Sequence, residues 1–333
     1  MWYQNLILGF ILSFVLVGIA VKVFPKLGLL DFPQRYGLDR QRLPYPGGLV
    51  LLGLAFGMWF VGGGEFLKLL PALIWIGVVS FVDDRKGLSV GIRSLVYVLA
   101  IVWVFYNGIK IDFVGIPWQE TNWELADKFW LSLGVTVFWV FMIQQAMNWF
   151  DGLQGLCVGV SGIGFLTLGI LGLVRPELFF DSSHASLTTV NLYLAGLCLG
   201  GWIWFWKEKI ILGDTGSQVL GFLLGVMAIW SGAKIMTTLI VLALPLIDVL
   251  LVVFRRVLID KSSPFQGDGK HLHHNLMYRI GASNASLILL SCSIVLGGMA
   301  IFLSGMMKLL ALGIVGICIV LFGLFLLKSE RAS

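Results

Sequence analysis

About eleven long, mostly apolar stretches follow one another along the chain, each close to the roughly 20 residues that a helix needs to cross a bilayer. Their approximate limits are 5–24, 47–63, 67–82, 91–107, 129–147, 154–174, 187–206, 216–231, 234–255, 285–304 and 308–327. With 58% hydrophobic and only 12% charged residues, a water-soluble globule would expose apolar surface it could not cover, so lipid must be part of the solvent. The runs are continuous rather than alternating with a period of two, which argues against a β-barrel. The expected fold is all-α, a polytopic integral membrane helix bundle. No linker or low-complexity segment interrupts it, so residues 1–333 read as a single transmembrane domain with its polar chemistry in the loops. The 41 glycines suit helices that approach closely in lipid.

Connecting segments alternate sides, and their basic residues are unevenly shared. One set holds most of the 23 Lys and Arg residues, among them Lys26, Arg40, Arg42, Arg85, Lys86, Arg93, Lys207, Lys209, Arg255, Arg256 and Lys270. The other holds Lys68, Lys110, Lys128, Arg175, Lys234 and Lys308. By the positive-inside rule the first set is cytoplasmic, the N-terminus is outside and the C-terminus is inside. Lys22, near the end of the first stretch, is expected to snorkel. That stretch lacks a basic leader and a small-residue cleavage site, so it reads as a retained helix. The positive charge is explained by membrane topology, which leaves no case for nucleic acid as a partner. Cys157, Cys198, Cys292 and Cys318 all fall in apolar spans without Cys-x-x-Cys spacing and are expected to be buried thiols.

Four polar constellations fall on the cytoplasmic side. Asp83-Asp84 lies where the third stretch meets water, an unfavourable place for two acids unless a cation, a proton or the nearby Arg85 and Lys86 offset them. Asn148-Trp149-Phe150-Asp151-Gly152-Leu153-Gln154-Gly155-Leu156 offers hard oxygen atoms and flexible glycines, with helix capping by Asp151 as the plainer alternative. Gly213-Asp214-Thr215-Gly216-Ser217 opens a helix, where backbone N–H groups can receive a phosphate and Asp214 can hold Mg²⁺ against it. Three of the four histidines, His271, His273 and His274, share the largest loop. Their contacts are expected to be with anionic oxygens rather than zinc. The fourth, His184, is expected to be solvated. Asp248, at membrane depth before Arg255 and Arg256, either pairs with other helices or lines the site.

In this order, and with Asp31-Phe32-Pro33 and Pro44-Tyr45-Pro46-Gly47-Gly48 ahead of them, these motifs resemble those of the polyprenyl-phosphate N-acetylhexosamine-1-phosphate transferases. The form is that of the bacterial undecaprenyl-phosphate GlcNAc-1-phosphate transferases, relatives of the phospho-MurNAc-pentapeptide translocase. The resemblance implies transfer of a sugar 1-phosphate from a UDP-N-acetylhexosamine to undecaprenyl phosphate, with Mg²⁺ or Mn²⁺, release of UMP, and a place at the start of cell-envelope glycan synthesis. It implies metal ligation by Asp214 with Asn148 near the ion, and catalytic positions for Asp83, Asp84 and Asp151. Gln154, Gly213, Lys270, His271, His273, His274, Arg255 and Arg256 would bind the substrates.

The chain departs from the common pattern at Gln145 and Gln154, where many relatives have Asn and Asp, at Asp39 for His, and at Gly269 for Arg, with Lys270 a partial stand-in. A Gln amide can still hydrogen-bond a uracil edge. Phospho-MurNAc-pentapeptide transfer is the alternative within the family, and secondary transport the alternative outside it. Transport predicts internal repeats, and none is visible. Membrane lipid is the expected surrounding. The oligomeric state is open, a homodimer being one arrangement.

Overall fold

The computed structural model of the chain describes residues 2–33, 40–115, 123–179, 184–232, 235–259, 261 and 271–330. Its helices in order are α1 (Trp2–Val23), α2 (Gly48–Ala55), α3 (Met58–Gly62), α4 (Leu70–Lys86), α5 (Val90–Tyr106), α6 (Phe129–Trp149) and α7 (Leu156–Val174). There follow α8 (His184–Trp206), α9 (Gly213–Trp230), α10 (Ile235–Val241), α11 (Ala243–Phe254), α12 (Leu272–Ile280), α13 (Ala282–Phe302) and α14 (Gly305–Glu330). Between α5 and α6, β1 (Phe113–Val114) pairs antiparallel with β2 (Trp123–Glu124).

Seven helical stretches among the described residues are long and apolar enough to cross a bilayer, and α10 with α11 makes an eighth if that bent pair is one span. The 234–255 stretch is therefore not a single straight helix, because α10 and α11 meet at 77°. The break at Leu242 comes just ahead of Pro245, in the first turn of α11, where a missing N–H leaves no intrahelical bond unmade. The 47–63 stretch forms two short helices, α2 and α3.

The bundle is organised around α9, which is buried almost throughout from Gly213 to Ile229 and packs against α6, α4 and α2. On its far side α8 lies between α1 and α7. Small residues permit this: a side chain at Gly196 would meet Leu6 backbone and one at Gly200 would meet Phe10 backbone. The cytoplasmic ends assigned from charge to α4 and α6, and the start of α9, lie side by side.

Two expectations are corrected. Cys157 and Cys198 are buried, but Cys292 and Cys318 lie exposed on the outside of α13 and α14. A thiol facing lipid tails carries the same hydropathy signal as one in the core, so composition does not separate them. His184 is half-buried rather than solvated. Its Nε2 is 2.6 Å from the Gly172 carbonyl oxygen, and its ring packs with Trp2 and Phe179. Lys22 is exposed in the last turn of α1.

Candidate active site

Asp83 and Asp84 occupy the last turn of α4, where the helix dipole disfavours negative charge. Asp83 is offset by Arg93 in the first turn of α5, which pairs with its Oδ2, and by the Leu88 N–H, which donates to Oδ1 at 2.5 Å. The neighbours expected to do this point elsewhere. Arg85 donates to the Gly28 and Leu30 carbonyls and lies against the Phe32 ring, while Lys86 is exposed. Arg93 also reaches Asp214 Oδ2 at 3.2 Å, so one guanidinium bridges α4 and α9. From the end of α6, the Asn148 amide donates to Asp214 Oδ1 at 3.1 Å and to Ser217 Oγ at 2.9 Å. Asp83, Asn148 and Asp214 are thus joined from three helices.

Asp84 is placed differently. It receives hydrogen bonds from the Tyr45 hydroxyl at 2.5 Å, the Asp214 N–H at 2.9 Å, the Thr215 N–H at 3.1 Å and the Thr215 hydroxyl at 2.6 Å. Two amides at the start of α9, read from sequence as a phosphate cradle, are therefore already taken by the protein's own carboxylate. Gly213 belongs to the same junction. Its φ of +77° is in the left-handed region, and a Cβ there would meet Pro46, Tyr45 and Asp84 at 2.7, 2.9 and 3.0 Å.

The loop after α6 joins this cluster to the histidines. Asp151 does not cap α7, whose start is Gly155 with no side-chain cap, and its carboxylate has no hydrogen-bond partner among the described residues. Gly152 lies directly against the His273 ring, so a side chain at 152 would displace it. Phe150 and Trp149 pack edge-on against His273 and His271, with ring centres 5.3 and 5.9 Å apart. Arg256 is buried with its guanidinium 5.4 Å from the Trp149 ring, and Arg255 starts a π-helical turn beside it. Gln154 Oε1 accepts from Ser283 at 3.2 Å and, with Asp151, lines a cavity of about 160 Å³. Arg40, held by Asp31 at 2.7 Å, and Glu208 complete its polar lining.

Asp248 resolves the choice left by the sequence. Its Oδ1 accepts the Leu272 N–H at 2.7 Å, capping α12, and its Oδ2 lies 3.2 Å from His271 Nδ1 and 3.0 Å from His273 Nδ1. These three side chains are close enough to hold a metal ion, but here each contact has hydrogen-bond length. With Nδ1 engaged, the Nε2 atoms face away from Asp248, and that of His273 is buried without a partner among the described residues. The His274 ring packs at a tilt against His273 with ring centres 4.3 Å apart. Lys270, Gly269, Asp39 and Lys234 lie outside the described residues. Tyr45, Arg93, Thr215 and Glu208 join the site without having carried a role in the sequence. Tyr45 and Thr215 lie inside the Pro44–Gly48 and Gly213–Ser217 motifs, whereas no motif pointed to Arg93 or Glu208.

Burial, and then the negative charges of Asp214 and Asp84, hold the Asp151 carboxyl well above its ordinary 3.8. Folding therefore favours the protonated form, a contribution complete below the unfolded value and lost as pH rises through the raised one. In EDTA, the melting temperature of the protein should fall over that rise, and Asp151→Asn should flatten the fall. An unchanged slope in the variant would exclude Asp151 as its cause.

The sequence pattern of glycosyl transferase family 4 matches residues 66–232, which span α4 to α9. The chain is 27% identical over 290 residues to the probable undecaprenyl-phosphate N-acetylglucosaminyl 1-phosphate transferase of Bacillus subtilis (strain 168), covering 82% of this chain and 77% of that one. It is 29% identical over 311 residues to the undecaprenyl-phosphate alpha-N-acetylglucosaminyl 1-phosphate transferase of Yersinia pestis, covering 86% and 80%. The protein of the same description from Escherichia coli (strain K12) is 27% identical over 305 residues, covering 86% and 79%. The matched core carries Asp83, Asn148 and Asp214 on the three helices that meet at the site, and the chain, a multi-pass membrane transferase, belongs to glycosyl transferase family 4.

Proposed function

We propose that the protein transfers an N-acetylhexosamine 1-phosphate, GlcNAc-1-phosphate first among them, from a UDP-sugar to undecaprenyl phosphate. UMP is released, and the lipid diphosphate-sugar starts a cell-envelope glycan. The observation that carries this reading is the meeting of Asp83, Asn148 and Asp214 beside a buried Asp248–histidine cluster, in a chain similar to transferases of that description. We further propose that the shorter helices complete eleven crossings, with the N-terminus outside and this site on the cytoplasmic face of the inner membrane.

An oxygen of the acceptor phosphate attacks the sugar-bearing phosphorus, and the bond from that phosphorus to the UMP oxygen breaks. A phosphate monoester, with a second pKa near 6, is already largely dianionic at neutral pH, so no strong base is required. Positioning and positive charge matter more. Arg93, bridging Asp83 and Asp214, holds charge at the acceptor side, and Arg256 holds it at the diphosphate, which His271, His273 and His274 help to bind. Asp151 and Gln154 face the nucleoside from the cavity wall.

The residues fit a hard divalent cation. Asp214 has a partly exposed carboxylate, Asp151 has no hydrogen-bond partner among the described residues, and Asn148 adds an amide oxygen. Mg²⁺ or Mn²⁺ bound there would neutralise charge on the phosphoryl oxygens.

The test is UMP release by purified protein with undecaprenyl phosphate, Mg²⁺ and a panel of UDP-sugars, with and without EDTA. The expected result is metal-dependent release with a UDP-N-acetylhexosamine. Absence of release from every donor, by folded protein, would overturn the reading.

A further inference from the structure

Three segments distant in sequence meet at Asp84. Ahead of α2, the Pro44–Gly48 segment runs beside Ile211 and Leu212. The Ile211 N–H donates to Pro44 O at 3.0 Å, Gly47 N–H to Ile211 O at 2.6 Å, and Gly48 N–H to Leu212 O at 2.9 Å. This pairing holds Tyr45 against the end of α4, where its hydroxyl reaches Asp84 Oδ1, and Gly213 closes the gap between them. The remaining donors to Asp84 come from the first turn of α9.

A carboxylate has about four lone-pair positions, and the four donors on Asp84 fill them. Nothing is left for a metal ion, a proton in transfer or a substrate hydroxyl. Its charge is instead spent on a helix start, where the dipole favours an anion and the amides would otherwise be orphaned in a buried place. Asp83, one residue earlier, is tied to Arg93, which also touches Asp214. Adjacent acids on one helix point in different directions, and here they meet different partners.

We infer that Asp84 is a positioning residue. With Tyr45 and Thr215 it fixes the start of α9, and with it the place of the Asp214 carboxylate, and it does not touch the substrates. The Pro44–Gly48 motif is the brace that holds Tyr45 in the clamp. Asp83 alone of the two acids is left to face the reactants.

The experiment compares wild type with Asp84→Asn, Tyr45→Phe, Thr215→Val and Thr215→Ser, purified in detergent. Hydrogen–deuterium exchange is followed over residues 212–216, and UMP release gives kcat and KM. Only the second readout rests on the reaction proposed above. Losing a hydrogen bond to a buried charge should speed exchange of the Asp214 and Thr215 amides by roughly tenfold to a hundredfold in Asp84→Asn. Tyr45→Phe and Thr215→Val should show smaller increases, and Thr215→Ser, which keeps the hydroxyl, should resemble wild type. The kcat should fall in the same order, with KM for the UDP-sugar within about twofold of wild type.

A loss of kcat with exchange unchanged would make Asp84 a catalytic group and overturn the inference, as would loosened exchange with kcat intact. If Asp84→Asn does not fold, the two single-donor variants decide in the same way. Failure of the wild type to release UMP would overturn the transfer reaction instead, with exchange still deciding the clamp.

Discussion

Replacing Asp214 with alanine should lower UMP release by about a thousandfold while leaving the melting temperature close to that of the wild type. The two halves of that expectation come from different atoms of one residue. The side chain projects from the first turn of α9 to Asn148 and Arg93 and is about one-third exposed at the site. The backbone N–H donates to Asp84 and survives the substitution, so the helix start stays capped. Activation by Mg²⁺ should weaken in step, seen as a higher midpoint when release is titrated with the metal. Normal turnover in a folded Asp214→Ala protein would remove Asp214 as the metal ligand.

Asp248→Asn should have the next largest effect, a rise of roughly tenfold to a hundredfold in KM for the UDP-sugar. One oxygen of Asp248 serves two imidazoles, and its other oxygen caps α12. An amide can keep only part of this, because its NH₂ would face an Nδ1–H. The rings would then lose the tautomer that keeps Nδ1–H on Asp248 and leaves Nε2 facing away from it, since the hydrogen bond made by one ring nitrogen fixes the state of the other. A cycle with His273→Gln separates this from independent roles. The double variant should be little worse than the more damaged single one. Multiplying effects would show that Asp248 does not act through the ring.

The sequence carried a good deal of this site. Asp83, Asn148, Asp151, Asp214 and the histidines were all singled out, because a polar residue between apolar helices is conspicuous, and the structure brings them to one region. Their partners were not legible. Arg93 registered only as a topological charge, and Tyr45 and Thr215 are ordinary residues whose importance comes from what lies across from them. Nothing in Asp83-Asp84 tells the two apart, since their difference is one of direction by a rotation of about 100° around the helix.

Hydropathy by itself determined that the chain is a membrane helix bundle, because the cost of unpaired backbone in lipid leaves no other use for such runs. The polar motifs, in their order, carried a resemblance to the family that the match over residues 66–232 shows. Only the tertiary structure decided which apolar surfaces face lipid and which face protein, as Cys292 and Cys318 show, and where a span breaks, as α10 and α11 show. It also decided that the amides opening α9 receive Asp84 and that Asp248 serves the histidines. These outcomes depend on which donor meets which acceptor across helices far apart in the chain, and hydrogen bonding is directional where the hydrophobic effect is not.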